Sequence, residues 1–349
     1  MTAKPDAANN IPAERKSPAS PASGAPSPPR HRRRRFLLAV LGLAALATVA
    51  VLAALGNFLG HAAGLTNCAT TLSNCSYPGP TNTGVPAGTT LKSVPAQVSS
   101  GPGWSYNAAT NTVTVTVKGT VLSGLSIAGP LQVNASNVTV MNVKVVTNTT
   151  FGISLTHTAN VTIENSTISG QNSTTGRLGS AIDDVYGDST GMVIKNNNIS
   201  NFKTAIQIST GLAQGNYIHD PGYVAGDHTN GFYVNGGTQP LTISGNTIFD
   251  SLGQTDAINL DAGTPGPAAP VANKTIKNNI LAGGSYTIYG GAASGSPTTN
   301  IIITGNRFGQ LYYAKSGQYG PVYYYNSAGM GNTWSGNSWD TTGQTIPAP

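Results

Sequence analysis

Ile243-Ser244-Gly245-Asn246-Thr247-Ile248 states a six-residue phrase: hydrophobic, polar, turn residue, Asn, any residue, hydrophobic. The chain returns to it at 163–168, 194–199, 213–218, 276–281, 303–308 and 334–339, with successive starts 31, 19, 30, 33, 27 and 31 residues apart. Around these phrases lie short β-branched runs, beginning with the alternation Thr112 to Val117, and no useful stretch has helical 3.6-residue spacing. An irregular period of this size, built from strands and Gly/Asn turns, predicts a stacked β-solenoid.

Each position in the phrase has a physical reason. Asn or Gly before the repeated Asn suits a left-handed backbone, which penalises most side chains. The repeated Asn is expected to stack inside the corner, bonding backbone groups the bend leaves unpaired and the Asn of the next coil. Asn197, Asn216, Asn246, Asn279 and Asn306 would form this internal ladder. A second strand aligns as well: Ile153, Ile182, Ile206, Phe232, Ile258 and Ile288 are assigned to the core. Ser154, Asp183, Gln207, Tyr233, Asn259 and Tyr289 then form a polar and aromatic stripe on one outer face.

Working outward, only 9% of the 349 residues are charged, against about 25% in average globular chains. This excludes coiled coils, acidic disordered proteins and salt-bridged helical arrays. Residues 1–35 hold eight Lys and Arg against Asp6 and Glu14, so they carry the whole net charge of +6 and the remainder is neutral. Nucleic-acid binding is therefore not expected, because the charge does not lie on a folded surface. Four consecutive arginines, Arg32 to Arg35, precede an uncharged run from Phe36 to Leu55. Its twenty residues are long enough to span a bilayer as a helix, and the arginines hold its start in the cytoplasm.

The expected organisation is a disordered basic cytoplasmic tail (1–35), a transmembrane signal anchor (36–58), an extracytoplasmic linker (59–103) and a β-helix domain (104–349). The protein is expected to be single-pass and monomeric, with the β-helix outside. A cleavable signal is the rival reading, given Gly60-His61-Ala62 and the Arg33-Arg34-Arg35-Phe36-Leu37 run; cleavage would make the protein secreted. In an exported chain Cys68 and Cys75 are expected to form a disulfide. The Pro/Gly/Ser/Thr-rich stretch 76–103 reads as a spacer with little reason to pack.

Three segments carry a family resemblance: Asn82-Thr83-Gly84-Val85-Pro86-Ala87-Gly88-Thr89-Thr90-Leu91, Gly226-Asp227-His228-Thr229-Asn230-Gly231 and Gly331-Asn332-Thr333-Trp334-Ser335-Gly336-Asn337. With the repeats, they make residues 80–345 resemble the right-handed parallel β-helix proteins of the pectate-lyase-like superfamily, and more closely a group of exported actinobacterial β-helix proteins. The resemblance implies an all-β, right-handed parallel β-helix. It does not fix an activity, because such folds serve lyases, hydrolases, epimerases and non-catalytic adhesion proteins.

Charged residues are rare outside the tail, so their clusters mark the candidate chemistry. Asn230 and Asp256 align on adjacent coils, about 5 Å apart, with His228 close by. A lyase acting on an acidic polysaccharide needs a cation and a base. Asp227, Asp256 and Asp261 could hold Ca2+ through oxygen ligands, with His228, Lys203 or Lys315 as base. His228, Asp256 and Lys203 are thus the catalytic candidates, and Asn230, Tyr233, Asn259 and Gln207 the substrate-binding ones. A hydrolase would use the pair Asp183-Asp184. Non-catalytic binding, as in a surface scaffold or adhesin, needs only the outer stripe. The plain alternative for 227–231 is a turn, since Asp and Asn form turns readily. His157, with no acid beside it in sequence, reads as a surface residue. The tyrosines from Tyr312 to Tyr325 are read as either a sugar-stacking platform or strand-face packing.

Overall fold

The computed structural model describes residues 67–171, 178–261 and 270–349. Apart from two short 3-10 turns, Leu72–Cys75 and Ala293–Gly295, the regular structure of these residues is β-strand. The strands form three sheets, here A, B and C, of ten, eleven and nine strands. Sheet A runs from Lys92–Val94 to Ser338–Trp339, sheet B from Ser100–Gly101 to Gly320–Tyr323, and sheet C from Val121–Ser123 to Thr333–Ser335. Within each sheet the coil-to-coil pairing is parallel, and among the named strands only the first three of sheet B pair antiparallel. A coil contributes one strand to each sheet in turn, as Gly211–Gln214, Tyr217–His219 and Thr229–Asn235 do. This is a parallel β-solenoid, as the repeat predicts.

The turn between sheets C and A follows the phrase. Asn196, Gly215, Gly245, Asn278 and Gly305 all have positive φ between 55° and 68°. The next residue in each coil turns its amide into the corner. Asn197, Asn216, Asn246, Asn279, Asn306 and Asn337 form one buried ladder with side-chain bonds of 2.9–3.0 Å. Each amide also donates to a backbone carbonyl of the preceding coil, as Asn216 does to Ile194 at 2.9 Å. The row Ile153, Ile182, Ile206, Phe232, Ile258 and Ile288 is fully buried and in register. Burying each such side chain contributes roughly 2 kcal/mol.

The expected linker 59–103 is not a free spacer over its described part. Lys92–Val94 pairs with Leu125–Ile127 in sheet A, so the solenoid begins before residue 104. Residues 67–91 form a strap along the outside of sheet A. The Ala69 amide donates to Asp340 beside the last strand at 2.7 Å, Thr247 donates to the Pro78 carbonyl at 2.7 Å, and the Gly84 amide donates to Asn196 O at 2.9 Å. Cys68, Ala69, Leu72, Cys75 and Tyr77 pack on Phe249, Ile280, Ala282 and Tyr217. The strap docks through backbone bonds and a few small apolar groups, which its composition conceals. Cys68 and Cys75 are disulfide-bonded.

The tail 1–35 and the expected span 36–58 lie outside the described residues. Among the described residues no helix is long and apolar enough to cross a membrane.

Candidate functional site

Parallel register brings side chains at equivalent positions into one row on the outer face of sheet B. Successive Cα partners are Gln132, Ser154, Asp183, Gln207, Tyr233, Asn259, Tyr289 and Tyr323. At about 4.8 Å per coil, the last four members span roughly 14 Å. Beside them opens a groove of about 560 Å³, whose walls include His228, Asn230, Tyr233, Asn259, Asp261 and Tyr289.

The far wall is aromatic. Tyr286 stacks on Tyr323 with ring centroids 4.7 Å apart and planes 14° from parallel. Tyr289 meets Tyr324 edge-on at 5.5 Å, and Tyr319 lies 5.8 Å from Tyr286. Tyr319, Tyr323 and Tyr324 are exposed. Such an array offers flat apolar faces with polar rims. Nearer the middle of the solenoid, the Tyr233 hydroxyl donates to Asp261 Oδ2. Burial, followed by the Asp261 bond and charge, raises the Tyr233 phenol far above its ordinary value, so it stays a donor. Burial also pushes Tyr289 up to about 12, with Asp256 and neighbouring tyrosines adding to it. Among the described residues, His228 and Asp261 are the only ones of basic or acidic type on the groove wall.

The structure gathers His228, Asn230, Tyr233, Asn259 and Asp261 at this groove and parts them from the other candidates. Asn230 does pair with Asp256, and Tyr233 with Asn259. Asp256, however, is fully buried and is not on the groove wall. Burial, with the Asp250 charge added, raises its pKa well above the usual carboxylate range. A carboxyl sealed in this way is not presented to a polymer in the groove, where the sequence placed it as a catalytic group.

Asp227 is buried in the turn before the strand, where its carboxylate accepts the Val224 amide at 3.0 Å, and Asp261 is engaged by Tyr233. The expected Ca2+ set Asp227, Asp256 and Asp261 is therefore not assembled. Among the described residues no three His, Cys, Asp or Glu side chains gather as metal ligands. Lys203 is half-buried beside Asp183: burial raises the Asp183 pKa and the Lys203 charge opposes it. Its backbone carbonyl accepts the Asn230 amide at 2.7 Å, but the lysine is not on the groove wall. Gln207 continues the outer row and accepts from Ser180 at 3.4 Å. Lys315 is exposed and also absent from the wall.

The hydrolase pair does not face one way. Asp183 lies in the outer row, whereas the Asp184 carboxylate accepts the Ser189 amide at 3.1 Å within a turn. Adjacent strand residues point to opposite faces. His157 does have an acid partner, Asp188 of the next coil, at 2.5 Å, and it stacks on Tyr186. The tyrosines near the C-terminus divide between roles. Tyr319, Tyr323 and Tyr324 join the aromatic wall, Tyr325 packs on Trp334, and Tyr312 meets Phe249 edge-on near the strap. Tyr286 and Asp250 are the site-region residues that the sequence reading passed over.

No protein-family model, no curated protein and no solved structure matches the chain. The functional reading rests on the geometry alone.

Proposed function

We propose that the solenoid binds an uncharged polysaccharide along the outer face of sheet B, without turnover. The observation that carries this reading is the registered row Tyr233, Asn259, Tyr289 and Tyr323, whose last two members join Tyr286, Tyr319 and Tyr324 in one aromatic wall. A repeating ladder of amide and phenol groups suits a repeating polymer, and the rings offer stacking faces for sugar rings. Among the described residues, the groove wall offers no Lys or Arg for a uronate carboxylate and one acid, Asp261, where hydrolysis needs two. Binding is thus favoured over both cleavage chemistries. In this reading the β-helix is right-handed, exported, and tethered to the membrane through residues 36–58 as a surface-binding module.

Native gel electrophoresis through soluble polysaccharides tests the reading. A neutral polymer should retard the protein, and Tyr289→Ala with Tyr323→Ala should abolish retardation while leaving the fold intact. Retardation unaffected by that double substitution would reject the site. Release of an ultraviolet-absorbing unsaturated product from a uronate polymer would replace binding with elimination.

A further inference from the structure

Asp250 ends the sheet A strand Thr247–Asp250, and after a four-residue turn Thr255–Asp261 opens the next strand of sheet B. The two acids Asp250 and Asp256 thus flank one corner of the coil, and Asn230 on the preceding coil stands in register with Asp256. All three are buried, at 1%, 0% and 6% exposure. Asp250 Oδ1 accepts the Leu252 amide at 3.0 Å and the Thr229 hydroxyl at 3.3 Å. Around it, Asp250 Oδ2, both carboxylate oxygens of Asp256, Asn230 Oδ1 and Thr255 Oγ1 are buried with no hydrogen-bond partner. The Tyr286 backbone approaches Asp256 as a weak hydrogen-bond donor that lowers its pKa, outside the geometry of a full hydrogen bond.

Four of these five atoms can act only as acceptors while the acids are ionised, and the fifth is a hydroxyl oxygen. Buried carboxylates need compensation, and no cationic side chain is among the influences on either one. A cavity of about 10 Å³ is bordered by Asn230 and Asp250, though not by Asp256 or Thr255, and leaves space of the order of a single water beside the first two. His219 also borders it, but its ring nitrogens are engaged by Asp220 and Asn198; the remaining lining is mainly apolar, through Phe202, Ile218 and Phe249, with Ser200 and Asn201 beside them.

We propose that Asp250, Asp256 and Asn230, with the Thr255 hydroxyl, bind one Ca2+ inside the corner between sheets A and B. An all-oxygen set selects a hard cation over the metals that prefer nitrogen or sulfur. Two carboxylates leave a charge that one divalent ion cancels. Mg2+ usually keeps several of its waters, for which this corner has no room, whereas Ca2+ accepts carboxylate, amide and hydroxyl oxygens in flexible geometry. Two of the five oxygens, on Asn230 and Thr255, are neutral, so a sequence search for clustered acids misses the site. The ion would pin the turn 251–254 and the strand that carries Asn259 into the groove; it is structural, and independent of what the groove binds.

The test uses the full-length purified protein, equilibrated with millimolar Ca2+ and then dialysed into Ca2+-free buffer. Elemental analysis should find about one Ca2+ per chain, and chelation should lower the thermal midpoint by roughly 5 °C or more. Asp250→Asn with Asp256→Asn removes the charge at nearly constant shape. This variant should retain the near-ultraviolet tyrosine signal while losing both the bound Ca2+ and the chelator response. Wild-type protein with no Ca2+ and an unchanged midpoint would overturn the proposal. So would a midpoint that rises on acidification without any response to Ca2+, which would mean that the two acids are compensated by protons. An Asn variant that keeps the Ca2+ would place the ion elsewhere and equally reject this site.

Discussion

The Asn246 side-chain amide donates to Asn279 Oδ1 at 3.0 Å, with both residues buried in the corner between sheets C and A. Asn246 also donates to the Ala213 carbonyl and accepts both the backbone and the side-chain N–H of Asn216. Asn246→Ala would strand these partners away from water. The expected loss is roughly 3 kcal/mol, since each abandoned buried group costs about 1–3 kcal/mol. Urea unfolding measures it; a loss below about 1 kcal/mol would mean that the ladder follows the fold rather than holding it.

The strap gives a second expectation. The Cys68–Cys75 disulfide, at a sequence separation of 7, closes the turn that packs on Phe249 and Tyr217. Loop-closure entropy assigns it about 2.5 kcal/mol. Reduction should release the strap before the coils unfold, so limited proteolysis should cut between residues 76 and 91 much faster under reducing conditions. Equal cutting with and without reductant would show that the strap holds without the bond.

Lys274 sets a pH dependence. It is 1% exposed, and its ammonium donates to the Ser209 and Gln239 carbonyls at 2.7 and 2.6 Å. Burial lowers its pKa to about 8, against 10.5 in the unfolded chain. Between these values the unfolded state binds more protons, so the lysine's contribution to stability rises with pH. Relative to Lys274→Met, wild type should gain up to about 2 kcal/mol between pH 7 and 9.5. Taking the difference between the two proteins cancels the titration of the tyrosines. A flat difference would mean that the two carbonyls hold the ammonium charged throughout.

Much of this architecture is legible in the sequence because a solenoid turns long-range contacts into repeats. The phrase spacing aligns Asn216 with Asn246, and period-two alternation aligns Phe232 with Ile258. Both were readable because each residue faces its own copy one coil later. The facing of Asp256 was not readable in this way: Asn230 and Tyr286 hold the equivalent position on the neighbouring coils and reach the groove side, so alternation alone does not bury it. His157 and Asp188 lie 31 residues apart, one coil on, so this pair was within reach of the same reasoning. Other features lie beyond it. Asp250 meets Asp256 around a corner whose geometry the repeat does not fix. Tyr324 reaches the aromatic wall from a left-handed position, φ 52°, that nothing in a Tyr-Tyr-Tyr run announces. The strap docks by backbone hydrogen bonds, and these leave no mark in composition.

The central claim is that a polysaccharide lies across the last coils of sheet B, and hydrogen–deuterium exchange of the full-length protein tests it most directly. With a soluble neutral oligosaccharide bound, amides in 229–235, 255–261, 286–289 and 320–324 should slow together, while the strap and the outer face of sheet A stay unchanged. Protection confined to the strap and the Tyr217–Tyr312 face, or no protection in these four strands with the oligosaccharide bound, would contradict the account.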